Sequence, residues 1–472
     1  MCIQQQRNLL KLFVYAHQER AIIRALSCLF GLLLSSGSIF AAAPAPPVIT
    51  QPQIAFYQSS TESDRVHFLI QLAKTGQQEI AAELLKLFPL QGPLAINRTL
   101  FIEGLIDEGR HDLTGAAKKF RAALANDPKL TLVRSELAQV LFRLDEGESA
   151  KHHLQLLEAD APTATDAASI RSFIDKIDQS RPYSFNGYVS LAPTTNINSG
   201  SSHSTVYSSV FGADLGISAA NQKQSGLGGA AGLSLGYSKR FGNDWQAVLA
   251  GNIDTQIYPD WNFDSFSTSE SGEMRYMLSG GFVSLGGVAS QSASPAALQL
   301  TYNSYGPRAA LRYNLDQRNL FTASAIYEWR NYTGSSVQDG TALLTDAGLT
   351  HAFDSTLNTT VFGGYDNIAS QLKSISYETF FGGLNVYKEL PLGITLDVSA
   401  QARLSYFDGI NLIAGYARQD QRYIATATIT KRDINLMGFA PSIAFTETLN
   451  HSNIAIFDYD AQSVDLRLTK DF

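Results

Sequence analysis

Cysteine is nearly absent: the 472-residue chain has two, Cys2 and Cys28. Beyond Cys28 neither a disulfide framework nor a cysteine-based metal site can form. Charge is scarce as well, and unevenly so. Charged side chains make up about a quarter of the stretch from Pro44 to Pro182, but only about a seventh of that from Tyr183 to Phe472. No basic stripe occurs, which argues against a nucleic-acid partner. The longest apolar run, from Ala25 to Leu34, falls short of the about 20 residues a membrane-spanning helix requires. Catalytic motifs are missing too. His203, His351 and His451 lack ligand spacing, and adjacent His152 and His153 diverge on a helix as surface residues do. Asp458 and Asp460 read as a solvated wall. The glycines from Gly226 to Gly232 flow into an alternating run ending at Tyr237, so they read as a strand and not as a dinucleotide loop. No catalytic residue, cofactor or metal is expected, and the chain does not read as an enzyme.

What is present begins with an export signal. Arg7, Lys11, Arg20 and Arg24 precede the apolar run, and Ala41, Ala42 and Ala43 supply a small-residue cleavage site, so residues 1–43 read as a signal peptide. Removal after Ala43 leaves no cysteine, which suits an oxidising compartment. Pro44, Pro46, Pro47 and Pro52 then mark residues 44–59 as an extended, stiff linker.

Residues 60–180 have helical periodicity and repeat at a spacing of 34. Gly104 maps onto Ala138, Ala116 onto Ala150, Phe120 onto Leu154, Ala123 onto Leu157, and Pro128 onto Pro162. Small residues at the first two pairs let helices approach closely, large ones fill the gap, and the prolines end the second helix. The pattern resembles the tetratricopeptide repeat, with copies at 97–130 and 131–164. A degenerate copy lies upstream, where Ala82 fits but Lys86 and Pro89 do not. Stacked repeats of this kind present a concave surface to extended peptides or proteins; a helical spacer is the plainer alternative.

From residue 183 the period changes from 3.6 to 2. Ile394, Leu396, Val398, Ala400, Ala402, Leu404 and Tyr406 alternate with Thr395, Asp397, Ser399, Gln401, Arg403 and Ser405. Residues 321–329 and 245–257 alternate likewise. Segments this long, separated by turn residues and with Tyr and Trp near their ends, are the signature of a transmembrane β-barrel. A soluble sandwich also alternates. Arg and Asp along the polar faces favour a wet lumen instead, as does a last strand through Val464, Leu466 and Leu468 to a terminal Phe472. Tight turns are expected at 241–244, 316–319, 353–355, 389–393 and 431–433, and long loops at 199–225, 259–271, 332–338, 407–419 and 450–457. Both the helical module and the chain end belong on one side, so the strand number must be even. The expected fold is therefore an all-β transmembrane β-barrel of 14 antiparallel strands over 183–472, with residues 273–290 split into two strands, preceded by an α-helical tetratricopeptide-like repeat domain.

Residues near the barrel's two ends resemble one family. Gly438 to Pro441, then Ser452 and Asn453, then Phe457, Asp458 and Tyr459, and the terminal Asp471 and Phe472 look like the closing strands of the surface lipoprotein assembly modulator family. The opening, from Tyr188 through Pro193 to Asn196 and Asn198, is similar to that family's first strand and its Asn-x-Asn loop. The resemblance implies an outer-membrane translocator that brings a lipoprotein, or a related secreted protein used in haem and metal capture, to the bacterial surface. It implies no catalytic residue. Phe472 resembles the signal read by the barrel-assembly machinery, and the barrel is expected to sit in outer-membrane lipid as a monomer, its helical module in the periplasm. The alternative is a passive porin-like channel whose helical domain is a periplasmic tether.

Overall fold

The computed structural model describes residues 49–294, 299–434 and 439–470. The signal segment 1–43, Gly438 and Phe472 lie outside the described residues.

Eight helices come first among these residues: α1 (Gln51–Ser59), α2 (Glu62–Lys74), α3 (Gln78–Leu87), α4 (Ala95–Gly109), α5 (Leu113–Asn126), α6 (Thr131–Arg143), α7 (Gly147–Glu158) and α8 (Ala164–Ser180). From Gln51 onward, helix α1 corrects the expectation of an extended linker over 44–59. Thr50 and Gln53 form a capping box and Pro52 lies in the first turn, where a missing N–H costs nothing. The helices then pack as antiparallel pairs. Helices α5 and α7 begin at Leu113 and Gly147, one repeat apart, and the turns that open them carry a left-handed residue at the same register, His111 (φ 64°) and Asp145 (φ 73°). The upstream pair is better formed than its sequence suggested. Helix α3 begins at Gln78, one residue further ahead of α5 than the repeat spacing, and Gly76 (φ 82°) holds the left-handed turn. Ala81 and Leu85 are buried where Ala116 and Phe120 are buried in the next copy. One inserted residue moved Lys86 and Pro89 off the compared positions.

The module's core runs from Tyr57 to Ile177. Gly104 shows why small residues recur there. A Cβ at this position would stand 2.4 Å from Cε1 of Phe120, so α4 and α5 approach closely only because the side chain is missing. Ala116, Ala123, Ala138 and Ala150 are fully buried, and Leu154 and Leu157 nearly so. Pro128 and Pro162 follow the ends of α5 and α7.

The strands are β1 (Tyr183–Thr194), a small hairpin β2 (Thr205–Ser208) and β3 (Ala213–Gly216), then β4 (Gly226–Phe241), β5 (Trp245–Ile257), β6 (Ser265–Leu278), β7 (Gly281–Ser294), β8 (Gln299–Asn314), β9 (Asn319–Tyr332), β10 (Gly340–Asp354), β11 (Leu357–Ser370), β12 (Tyr377–Leu390), β13 (Ile394–Ile410), β14 (Ala417–Lys431), β15 (Ala440–Ser452) and β16 (Tyr459–Thr469). Apart from the β2–β3 hairpin they form one closed antiparallel barrel of 14 strands. Residues 273–290 divide between β6 and β7 as the parity requires. The barrel closes between β1 and β16, from Tyr188 opposite Thr469 to Thr194 opposite Ser463.

Side chains sort as the alternation demands. Val398, Leu404 and Tyr406 point outward, while Glu328, Thr395 and Asp420 are buried inside. Outward aromatics pair across strands near both rims, as interfacial girdles do. Trp245 meets Tyr276 with centroids 5.1 Å apart, and Tyr305 meets Trp329 at 5.6 Å. Three expected loops are shorter than the sequence indicated: β6 already begins at Ser265, β13 runs to Ile410 and β15 to Ser452. At these strand tops apolar and polar residues no longer alternate strictly, while backbone pairing continues.

Candidate functional site

Short turns gather at one end of the barrel, and the helical module is seated across that mouth. Its contacts reach turns on opposite sides of the ring. Arg240 at the end of β4 pairs with Asp175 of α8 at 2.7 Å. Arg318, between β8 and β9, donates through Nε to the carbonyl of Ala159 at 3.1 Å. The backbone N–H of Ser355, between β10 and β11, donates to Asp160 at 3.1 Å, and Lys129 reaches Asp354 at 3.4 Å. Leu392, between β12 and β13, donates its N–H to the carbonyl of Ala125.

The most deeply buried of these ion pairs joins α6 to β12. Arg134 of α6 has no exposed surface. Its guanidinium forks onto Glu389 of β12, Nη2 to Oε2 at 2.5 Å and Nη1 to Oε1 at 3.3 Å, the bidentate geometry that suits a carboxylate. Nη2 also donates to the carbonyl of Pro128 at 2.6 Å, so the repeat proline helps hold the arginine. Beside the pair, the Tyr387 hydroxyl lies 3.4 Å from Nε2 of His152 and donates to Glu389 at 3.2 Å. His152 and His153 are therefore not the surface residues their adjacency suggested. Their rings meet edge to face at 5.6 Å under the barrel rim. Burial holds the His152 imidazole below its ordinary value, against the pull of Glu389. Burial, with Arg134 adding to it, holds His153 well below. Sequence reading missed this cluster. Its one sequence signal is a charged residue, Arg134, on the buried face of a helix; Glu389 lies 255 residues away and nothing local links the two.

Above α7 and α8 a chamber of about 950 Å³ opens into the barrel lumen. The lumen wall carries paired charges: Glu273 between Arg275 (2.5 Å) and Arg308 (2.8 Å), Arg330 with Glu328 (3.1 Å), Arg403 with Asp366 (2.6 Å) and Arg418 with Asp420 (2.5 Å). Such an interior is polar, its charges satisfied in pairs along the wall.

The residues that carried the family resemblance lie chiefly at the opposite end, where they tie loops together. Asn196 is buried; its Nδ2 donates to the carbonyls of Gly200 (2.9 Å) and Asp460 (3.0 Å), and its Oδ1 accepts from the Gly200 N–H (2.9 Å). Asn198 donates to Gln222 and Ala220. Asn453 bridges to β14, donating to the Ala417 carbonyl and accepting from the Gln419 N–H, each at 2.8 Å. The Ser452 hydroxyl accepts from Ile454 N–H at 3.2 Å. These bonds hold the loop between β1 and β4 over the barrel top, on a small core of Val206, Ile217, Ala414 and Ile454. Pro193 sits on the closing strand; registered pairing with β16 lapses at Ala192 and Pro193, where proline has no N–H to give. Pro441 faces Leu468 across β15 and β16, and Tyr459 lies under the Arg422 guanidinium at 5.9 Å.

A closed barrel with an apolar outer wall, a polar lumen and a helical cover is an integral outer-membrane protein, its helical module on the periplasmic side. Its family follows from sequence: the profile described as surface lipoprotein assembly modifier matches residues 183–472, the whole barrel. The chain belongs to that family, and its role lies in outer-membrane surface-lipoprotein translocation. No curated protein matches the chain. Among solved structures it is similar to the translocator domain of the autotransporter NalP from Neisseria meningitidis, at 12% identity over 66% of this chain and 98% of that one, with a TM-score of 0.28. It is similar also to OmpF of Salmonella typhi in complex with daunomycin (8% identity, 61% and 97% covered, TM-score 0.34) and to OprD of Pseudomonas aeruginosa (8%, 61% and 92%, 0.28).

Proposed function

We propose that the chain delivers one particular lipoprotein or related secreted protein, of the kind used in haem and metal capture, to the cell surface, and that its helical module both receives this client and gates the lumen. The client arrives unfolded in the periplasm, is held by the repeats, and enters the lumen as the module lifts from the mouth. No nucleotide is needed. Folding or ligand capture on the outside removes the unfolded form there and draws the rest across. The barrel works as a monomer, inserted by the barrel-assembly machinery.

The observation that carries this reading is the seating of the module across the mouth by the buried Arg134–Glu389 pair, whose neighbours His152 and Tyr387 line the lumen chamber. A passive channel with a helical tether has no use for a cover so anchored. The test is display of an exported lipoprotein encoded beside this chain, scored by antibody on intact cells. Deleting residues 60–179 while the barrel still assembles should abolish display; undiminished display refutes the role given to the module.

A further inference from the structure

The chamber beneath the lumen is unevenly charged. On the wall formed by β6 to β8, Arg275 and Arg312 line the chamber and no acid of these strands lines it with them; the Glu273 that pairs with Arg275 and Arg308 lies further up the lumen wall. Arg312 lines the chamber, and among the described residues its guanidinium makes no direct hydrogen bond or ion pair, Glu158 being the acid that acts on it through space. The acids facing it from the helical side are already engaged: Glu158 with Arg171 at 2.9 Å, Asp175 with Arg240 at 2.7 Å, Asp178 with Lys151 at 2.8 Å. Two further donors lining the same chamber, the buried Nε atoms of Arg240 and Arg467, donate to nothing among the described residues. A guanidinium set in a partly enclosed space without a paired counter-charge is costly unless something anionic joins it.

We infer that this chamber is a binding site for a carboxylate-bearing segment of the exported polypeptide, with Arg312 as its central contact. The inference rests on the proposed translocation. Planar guanidinium forks match carboxylates bidentately. The chamber's volume of about 950 Å³ lies at the upper end of ligand pockets, about 300–1,000 Å³. It admits a few extended residues and excludes a folded domain. An acidic stretch entering from the repeats would meet the positive wall first, and would leave as the chain is drawn upward to the paired charges above.

The test uses the full mature chain in detergent micelles and fluorescent hexaglutamate, read by anisotropy, with hexaglutamine as the neutral control. Hexaglutamate should bind and hexaglutamine should not, and Arg312→Gln should weaken binding at least about tenfold while the barrel keeps its heat-modifiable migration. Arg312→Lys, which retains charge but loses the fork, should recover part of the affinity. Equal binding of both peptides, or affinity unchanged in Arg312→Gln, overturns the inference. Inorganic phosphate competing as well as unlabelled hexaglutamate would assign the chamber to a small anion and overturn it too. Display measured on the same variants separates the two proposals. Lost binding with unimpaired display removes the chamber from the route and leaves the translocator standing. Binding as expected without any display by the native chain does the reverse.

Discussion

Arg134, on the sixth helix of the periplasmic module, and Glu389, near the end of the twelfth strand, stand 255 residues apart in sequence and 2.5 Å apart in space. Neither has more than a tenth of its side chain exposed. A buried pair of this kind adds little net stability over an apolar contact, but removing one partner strands the other charge. It therefore specifies one seating of the module on the barrel.

Substituting Glu389→Gln should unseat the cover. Leaving Arg134 buried without its counter-charge costs about 3–5 kcal/mol, on the order of a hundredfold or more in the docked population. In planar bilayers the native chain should be nearly silent and the variant should open often. The exchanged pair, Arg134→Glu with Glu389→Arg, should return part of the silence. Equal conductance in all three would remove the pair from the gate.

Acidity should act at the same place. His152 and His153 are held below the ordinary histidine value of about 6.5 by burial, so the docked state takes up protons less readily than the undocked one. Docking is then at full strength above pH 6.5 and weakens as the pH falls through it, because the undocked imidazoles protonate first. Channel openings should increase between pH 7 and pH 5, and the double substitution His152→Gln with His153→Gln should flatten that dependence.

Much of this architecture was legible in sequence, for physical reasons that differ by element. Alternation from Ile394 to Tyr406 is forced by lipid on one side and water on the other, so the strands could be read residue by residue. The repeats were legible because Gly104 and its counterparts must be small. The upstream pair was misread because one inserted residue shifted Ala81 and Leu85 out of phase. Arg134 and Glu389 were not legible, since an ion pair across separate folding units leaves no local periodicity. The histidines were misjudged for the same reason: a helix face looks solvated until the barrel that covers it is known.

Gly104→Ala should destabilise the module by about 1–3 kcal/mol, because its Cβ would press on the Phe120 ring. Thermal melting followed by helical circular dichroism of the full chain should show an earlier helical transition with the barrel unaltered. Adding Phe120→Leu, which withdraws the ring, should restore part of the loss.

At the outer end, Asn196→Ala removes a side chain that serves two carbonyls and one N–H within a buried turn. The groups left unpaired cost about 1–3 kcal/mol each. The loop spanning residues 199–225 should be cut faster by protease added to intact cells, while Asn198→Ala, at a more exposed position, should have a smaller effect.

The most direct measurement pins the module in place. Asp160→Cys with Ser355→Cys puts two thiols where the α7–α8 connection meets the β10–β11 turn, in a chain with no other cysteine beyond Cys28. With the thiols joined by a short reducible cross-linker, display of the client on intact cells should stop, and reductant should restore it. Display that continues with the module locked to the mouth would contradict the proposed gate.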